Sequence, residues 1–148
     1  MLKNIKNYSS LVLLVAILLA ACGSADENSS LSFEGAWVRA MPPGMKMTAG
    51  FGQLRNSGSE VLEISAYSSP SFGDVSLHRT ELVDGVSKMR EVAELVIDPG
   101  GEVLLEPGGY HLMLMMPTGD IQPGQVVRLE IDSADGRRFG FDMQVERR

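Results

Sequence analysis

The sequence has almost no cysteine, since Cys22 is the single cysteine among 148 residues. Disulfides therefore contribute nothing within the chain, and a domain of this length has to be stabilised by its hydrophobic core. An excess of basic residues is also absent. The formal charge of −6 argues against nucleic acid as a partner, because binding nucleic acid requires a basic surface.

A hydrophobic run long enough for a membrane helix is missing as well. Lys3 and Lys6 precede an apolar segment at 11–21, which is shorter than the roughly 20 residues of a membrane span and is typical of an export signal. The segment ends in Leu19-Ala20-Ala21-Cys22, which resembles the lipobox of bacterial lipoproteins, where the cysteine is acylated after cleavage. We therefore predict a signal peptide at 1–21 and lipidation of Cys22. An ordinary signal peptide with an incidental cysteine is the alternative.

The residues after Cys22 are small and polar, a composition that buries no apolar surface. They predict a lipidated cysteine and flexible tether at 22–32, followed by one folded domain at 33–148. The expected location is the periplasm or another extracytoplasmic space, on a bacterial membrane reached only through the anchor at Cys22. The sequence leaves open whether that membrane is the inner or the outer one.

The domain lacks convincing amphipathic helices and is rich in strand-length apolar segments separated by Gly, Pro, Asn and Asp. This pattern predicts an all-β fold, a Greek-key sandwich or barrel. The predicted strands are Glu34–Ala40, Ala49–Arg55, Val61–Tyr67, Asp74–Arg79, Lys88–Leu95, Glu102–Leu105, His111–Met116, Val126–Ile131 and Arg138–Val145.

Two histidines and several methionines occupy suggestive positions. His111 and Met113 alternate along one predicted strand, so both side chains face the same side. Asp84-Gly85 is a two-residue hairpin signal that pairs Thr80 with Met89 and places His78 diagonal to Met89 on one sheet face. The spacing thus predicts two ligands from a hairpin and two from a later strand.

Imidazoles and thioethers are uncharged, soft to borderline donors. Such a set suits Cu(I), and also silver(I), whereas zinc favours thiolate or carboxylate ligands and magnesium or calcium favours oxygen. A blue-copper site would need a cysteine ligand, and Cys22 is assigned to the anchor. Taken singly, however, each histidine or methionine has an ordinary structural role as an alternative, and local patterning leaves both interpretations open.

Other methionines compete for the same role. Met115 has the same parity as Met113 and is a possible accessory ligand, while Met116 points the other way and is expected in the core. The Pro-Pro-Gly turn at 42–44 is flanked by Met41, Met45 and Met47. These methionines suggest a second copper site, although no histidine lies near them in the sequence. Whether any of these methionines adds a site is left open by the sequence.

The full spacing of the four ligands resembles the signature of the periplasmic copper chaperones of the PCuAC family: His78, ten residues, Met89, twenty-one residues, His111, one residue, Met113. The stretch at 107–115, Trp37-Val38-Arg39-Ala40 and the Pro-Pro-Gly turn are also similar to that family, and the similarity covers nearly all of 33–148. One departure is that Arg79-Thr80 follow His78 where relatives often carry a further methionine.

The resemblance implies a cupredoxin-like fold and an exposed site for one Cu(I), held by His78, Met89, His111 and Met113. It implies a chaperone that delivers copper by ligand exchange toward the Cu(A) site of cytochrome c oxidase, with the Cu(A) subunit or a Sco-type protein as partner. The alternative is a copper-buffering or tolerance protein without a dedicated recipient.

We expect a monomer and no enzyme activity. Asp74, Ser76 and His78 share a strand face, but alternate strand residues are about 7 Å apart, which argues against a hydrolase triad, and no Gly-x-Ser-x-Gly motif is present. A purely structural or adhesive surface lipoprotein is the remaining class.

Overall fold

The computed structural model describes residues 30–148, and strands are the only regular elements in this range. No helix there has the length and apolar character of a membrane span. The signal peptide, Cys22 and most of the predicted tether lie outside the described residues. The ten strands are β1 Leu31–Arg39, β2 Met47–Asn56, β3 Leu62–Ser69, β4 Phe72–Val83, β5 Val86–Glu91, β6 Leu95–Ile97, β7 Glu102–Leu105, β8 Tyr110–Pro117, β9 Val126–Ser133 and β10 Arg138–Glu146.

The strands form a barrel in the order β4-β8-β7-β2-β1-β10-β9-β3, and pairing of β3 with β4 closes it. β8 also pairs directly with β2 beyond the end of the short β7. β5 and β6 extend the sheet as additional strands on β4 and β3. The predicted all-β fold is confirmed. The elements that matter for the site are the neighbours β5, β4, β8 and β2.

Several predicted strand boundaries were wrong, and β4, predicted as Asp74–Arg79, extends over Phe72–Val83. The segment Lys88–Leu95 is two strands rather than one, because β5 pairs with β4 whereas β6 crosses over to pair with β3. The burial pattern explains the break: every residue of β5 is exposed, while Leu95 and Ile97 of β6 are buried in the core. The first strand also begins at Leu31 and so extends into the predicted tether, since Leu31 is buried with the core.

Alternation along β4 and β8 fixes which side chains face away from the barrel interior. Val75 and Leu77 of β4, and Leu112 and Leu114 of β8, are almost completely buried in the core. Successive side chains on a strand point to opposite faces, so the residues between them face outward. A one-residue slip in register would expose all four of these apolar side chains, and the core therefore holds the outward residues in place.

The β4–β5 hairpin has the predicted turn. Asp84 and Gly85 have φ values of 52° and 75°, as a type I′ turn requires at both central positions. Val83 pairs with Val86, and Thr80 pairs with Met89, which confirms the register inferred from the Asp-Gly signal.

The prediction that Met116 lies in the core was wrong. Its side chain is 59% exposed, and its φ of 54° lies in the left-handed region. This backbone conformation interrupts the regular alternation of β8 near its end, so strand parity fails to predict the direction of the side chain.

Candidate metal centre

The structure brings the four predicted ligands to one face of three neighbouring strands. His78 of β4 lies directly opposite His111 of β8. Met89 of β5 lies opposite Thr80, one alternate position from His78. Met113 of β8 lies opposite Ser76, the alternate position on the other side of His78. Paired residues share a sheet face, so the two histidines lie between the two methionines.

His111 is held in a defined orientation. Its Nδ1 lies 3.1 Å from the carbonyl oxygen of Gly109, which can only accept a hydrogen bond, so Nδ1 carries the proton. In the neutral ring this leaves the lone pair on Nε2 free to bind a metal. The same oxygen accepts a 3.0 Å hydrogen bond from the backbone N–H of Thr80 and thereby ties the 106–109 turn to β4.

The turn before β8 positions the Gly109 carbonyl for its hydrogen bond with His111. Residues 106–109 form a type II turn with Pro107 at its second position. Gly108, at the third position, has the positive φ of 85° that this turn requires. The backbone N–H of Gly109 donates to the carbonyl of Glu106 at 3.0 Å and closes the turn. His111 is only 5% exposed, although it lies on the outward face of the strand.

His78 is more accessible and has a different partner. Its ring stacks beside that of His111 with centroids 6.1 Å apart and an interplanar angle of 28°. Its Nε2 shares a 3.0 Å hydrogen bond with Ser76 Oγ. Ser76 and His78 therefore form a hydrogen bond although alternate strand residues are about 7 Å apart, so the prediction that they lie too far apart was wrong. Asp74 lies further along β4, opposite Met115.

The two methionines differ in exposure. Met89 is 53% exposed on β5, which pairs only with β4 among the strands that the structure describes. Met113 is half-buried on β8 between β4 and β2, where Ala49 of β2 lies opposite it. The thioether of Met89 is thus accessible from solvent, whereas that of Met113 is partly covered by the neighbouring strands.

Three of the four residues line a common cavity of about 350 Å³: Met89, His111 and Met113. His78 is not part of the cavity wall and lies beside His111. Other lining residues come from β2 and from the loop between β1 and β2, and they include Met41, Pro42, Met45 and Met47. The lining is mostly apolar, with Arg39 as its charged member.

The donors at this face are two imidazoles and two thioethers. Within residues 30–148, no group of three or more His, Cys, Asp and Glu side chains is arranged to hold a metal ion. Uncharged nitrogen and thioether donors suit a soft monovalent ion. The arrangement is therefore able to hold Cu(I) or Ag(I).

Sequence reasoning missed several neighbours of the site. Glu91 lies directly opposite His78, a position that the Asp84-Gly85 turn already implied from the hairpin register. The Gly109 carbonyl had no signal beyond the Pro-Gly turn before His111. The position of the β1–β2 loop over the site depends on long-range packing, and local sequence does not encode it.

Comparison with known proteins places the chain in a family. Residues 31–145 match the family model for LpqE-like lipoproteins. A protein of Leifsonia xyli subsp. xyli that is named as a lipoprotein is 34% identical over 102 residues, which are 68% of this chain and 60% of the relative. The match thus spans less than two thirds of the relative's length.

Solved structures show the same architecture. The copper-bound PCuAC domain from PmoF2 has a TM-score of 0.66 and 18% identity, over 80% of this chain and 94% of that domain. The Cu(I) form of DR1885 from Deinococcus radiodurans has a TM-score of 0.64 and 26% identity, over 81% of this chain and 82% of that protein. The chain belongs to the LpqE-like lipoprotein family, and its domain has the cupredoxin-like fold of PCuAC domains, as its sequence signature predicted.

Proposed function

We propose that this protein is an extracytoplasmic copper chaperone that binds one Cu(I) through His78, Met89, His111 and Met113. The observation that carries the proposal is the register of β5, β4 and β8, which puts all four donors on one face with the histidines directly opposite each other. The likeness to the Cu(I) form of DR1885, at 26% identity, supports the choice of metal. We propose a monomeric binding protein rather than an enzyme.

The donor set favours release as well as capture. Neutral thioethers and imidazoles bind Cu(I) without a thiolate, so no proton has to be returned to sulfur when copper leaves. Met89 is the most accessible donor because it lies half-exposed on β5, whereas His111 is buried and fixed by Gly109. We infer that an incoming ligand replaces Met89 first and that His111 releases copper last.

We further propose that the recipient is the Cu(A) site of cytochrome c oxidase, reached directly or beside a Sco-type protein. Copper buffering without a recipient is the competing function. The two are separated by mixing the Cu(I)-loaded protein with an apo Cu(A) domain and following copper in each protein after they are separated. Transfer that is faster than release to a small chelator of similar affinity indicates delivery, because it requires a protein–protein complex. Equal rates would favour buffering.

The location follows from the proposed anchor. Cys22 stands at the end of the lipobox, and the family name and the relative's name both describe lipoproteins. We propose that acylated Cys22, including a palmitate-type chain, holds the domain at an extracytoplasmic membrane surface.

Replacement of the anchor residue gives a direct prediction. Cys22→Ser should abolish lipidation, because the acyl chain is attached through the thiol, and the protein should stay uncleaved or be shed in soluble form. Metabolic labelling with a radiolabelled fatty acid measures this. Equal labelling of the wild-type protein and the Cys22→Ser variant would refute the anchor.

A further inference from the structure

The cavity lined by Met89, His111 and Met113 has additional thioethers in its wall. Met47 begins β2, and Met45 precedes it in the β1–β2 loop; both line the same cavity as Met89, His111 and Met113. Met45 and Met47 are 51% and 47% exposed. A methionine that only fills the core would be buried, as Met143 is in this domain at 0% exposure. These two residues therefore line the cavity and are also accessible from solvent.

The strand register brings Met47 within reach of Met113. Ala49 lies directly opposite Met113, and Met47, the next residue of β2 on the same face, lies opposite Met115, which is not part of the cavity wall. Met47 and Met113 are thus diagonal neighbours, about 7–8 Å apart, a separation that long side chains can bridge. His78 and Met89 have the same diagonal relation across β4 and β5.

The loop that carries Met45 is fixed by backbone contacts. The backbone N–H of Met45 donates to the carbonyl of Pro42 at 3.2 Å, and Gly44 has a φ of 84°, which together define a type II turn. The carbonyl of Lys46, between the two methionines, accepts a 2.9 Å hydrogen bond from Met116 N–H and attaches the loop end to β8. These contacts fix the backbone on both sides of Lys46 and hold the loop end against β8.

We propose that Met45, Met47 and Met113 form a second Cu(I) position, made of three thioethers and reached through the cavity from the four-ligand site. Met113 is shared, so one ion moves between the two positions by exchanging Met47 and Met45 for Met89 and the histidines. Three neutral sulfur donors select a soft monovalent ion and bind it more weakly than a set that includes imidazoles. This inference rests on the proposed function, because Met113 belongs to the proposed main site.

The test uses the full chain, purified in detergent and labelled with carbon-13 at its methionine methyl groups, and titrated with Cu(I) under reducing conditions. Single Met→Leu variants assign the resonances. Met116 is the internal control, because it is exposed and lies outside the cavity wall. In the wild-type protein, the first equivalent should shift Met89 and Met113 strongly and Met45 and Met47 weakly, because one ion exchanges between the two positions and prefers the one that has imidazoles. In a His78→Ala/His111→Ala variant, which lacks both imidazoles, the first equivalent should already shift Met45, Met47 and Met113.

The outcomes separate this proposal from the proposed function. Shifts at Met89 and Met113, with Met45 and Met47 unmoved at excess Cu(I) and in His78→Ala/His111→Ala, would overturn the second position and leave the main site intact. Shifts of Met116 equal to those of Met45 and Met47 would indicate non-specific binding and would also overturn it. If neither Met89 nor Met113 responds, the proposed function itself fails.

Discussion

His111→Ala should lower the affinity for Cu(I) by more than about 100-fold, since loss of a residue that only orients a ligand already costs roughly 10–100-fold. His111 is the one proposed ligand that is buried, lines the cavity and has its tautomer fixed, by the Gly109 carbonyl. No other imidazole can take its place, because His78 is already used as a ligand and lies outside the cavity wall.

His78→Ala is the matched comparison for His111→Ala. His78 is more exposed, and its Nε2 has to give up the hydrogen bond to Ser76 if it binds copper through that atom. We therefore expect a smaller loss of Cu(I) affinity for His78→Ala. Competition with a chromophoric Cu(I) chelator measures both losses, and thermal unfolding of the apo proteins shows whether each variant is folded. A folded His111→Ala protein with unchanged affinity would contradict the assignment of His111.

Met113→Leu should also weaken Cu(I) binding strongly, by about tenfold or more, while leaving the apo domain nearly as stable as the wild type. Leucine has a similar volume, and such exchanges usually cost less than about 1.5 kcal/mol of unfolding free energy. The loss of affinity is therefore attributable to the missing sulfur. Chelator competition and apo thermal melts measure the two halves of this prediction separately.

Met115→Leu provides the control for Met113→Leu. Met115 lies on the same strand and the same face, opposite Asp74 and Met47, but it is not part of the cavity wall. Its replacement should change Cu(I) affinity much less. Equal effects of the two substitutions would mean that β8 presents a different methionine to the metal, and unchanged affinity in Met113→Leu would make Met113 a packing residue.

The half of the site that could be read from the sequence depends on short-range rules. The Asp-Gly turn defines the β4–β5 hairpin, so the pairing of Thr80 with Met89 followed from local chemistry alone. Alternation likewise put His111 and Met113 on one side of β8. The end of β5 was less predictable. β5 stops pairing with β4 at Glu91, and the chain then crosses to β3, where Leu95 and Ile97 are buried in β6.

The other half depends on packing between distant segments. The pairing of His78 with His111 requires β4 and β8 to be neighbours, and it is set by the burial of Leu77 and Leu112 in the common core. The burial of His111, the hydrogen bond between Ser76 and His78, and the placement of Met45 over the cavity all follow from this long-range arrangement. The PCuAC-like spacing indicated which four residues form the site, but it did not predict the contacts that these residues make with their neighbours.

X-ray absorption spectroscopy of the Cu(I)-loaded protein tests the central claim most directly. At one copper per chain, the absorption edge should show Cu(I), and the extended fine structure should show both nitrogen and sulfur bound to the metal. Because Cys22 is the sole cysteine and lies in the predicted anchor, this sulfur has to come from methionine, and its contribution should fall in a Met89→Leu/Met113→Leu variant. A spectrum with only nitrogen and oxygen around copper, or sulfur scattering unchanged in that variant, would contradict the proposed site.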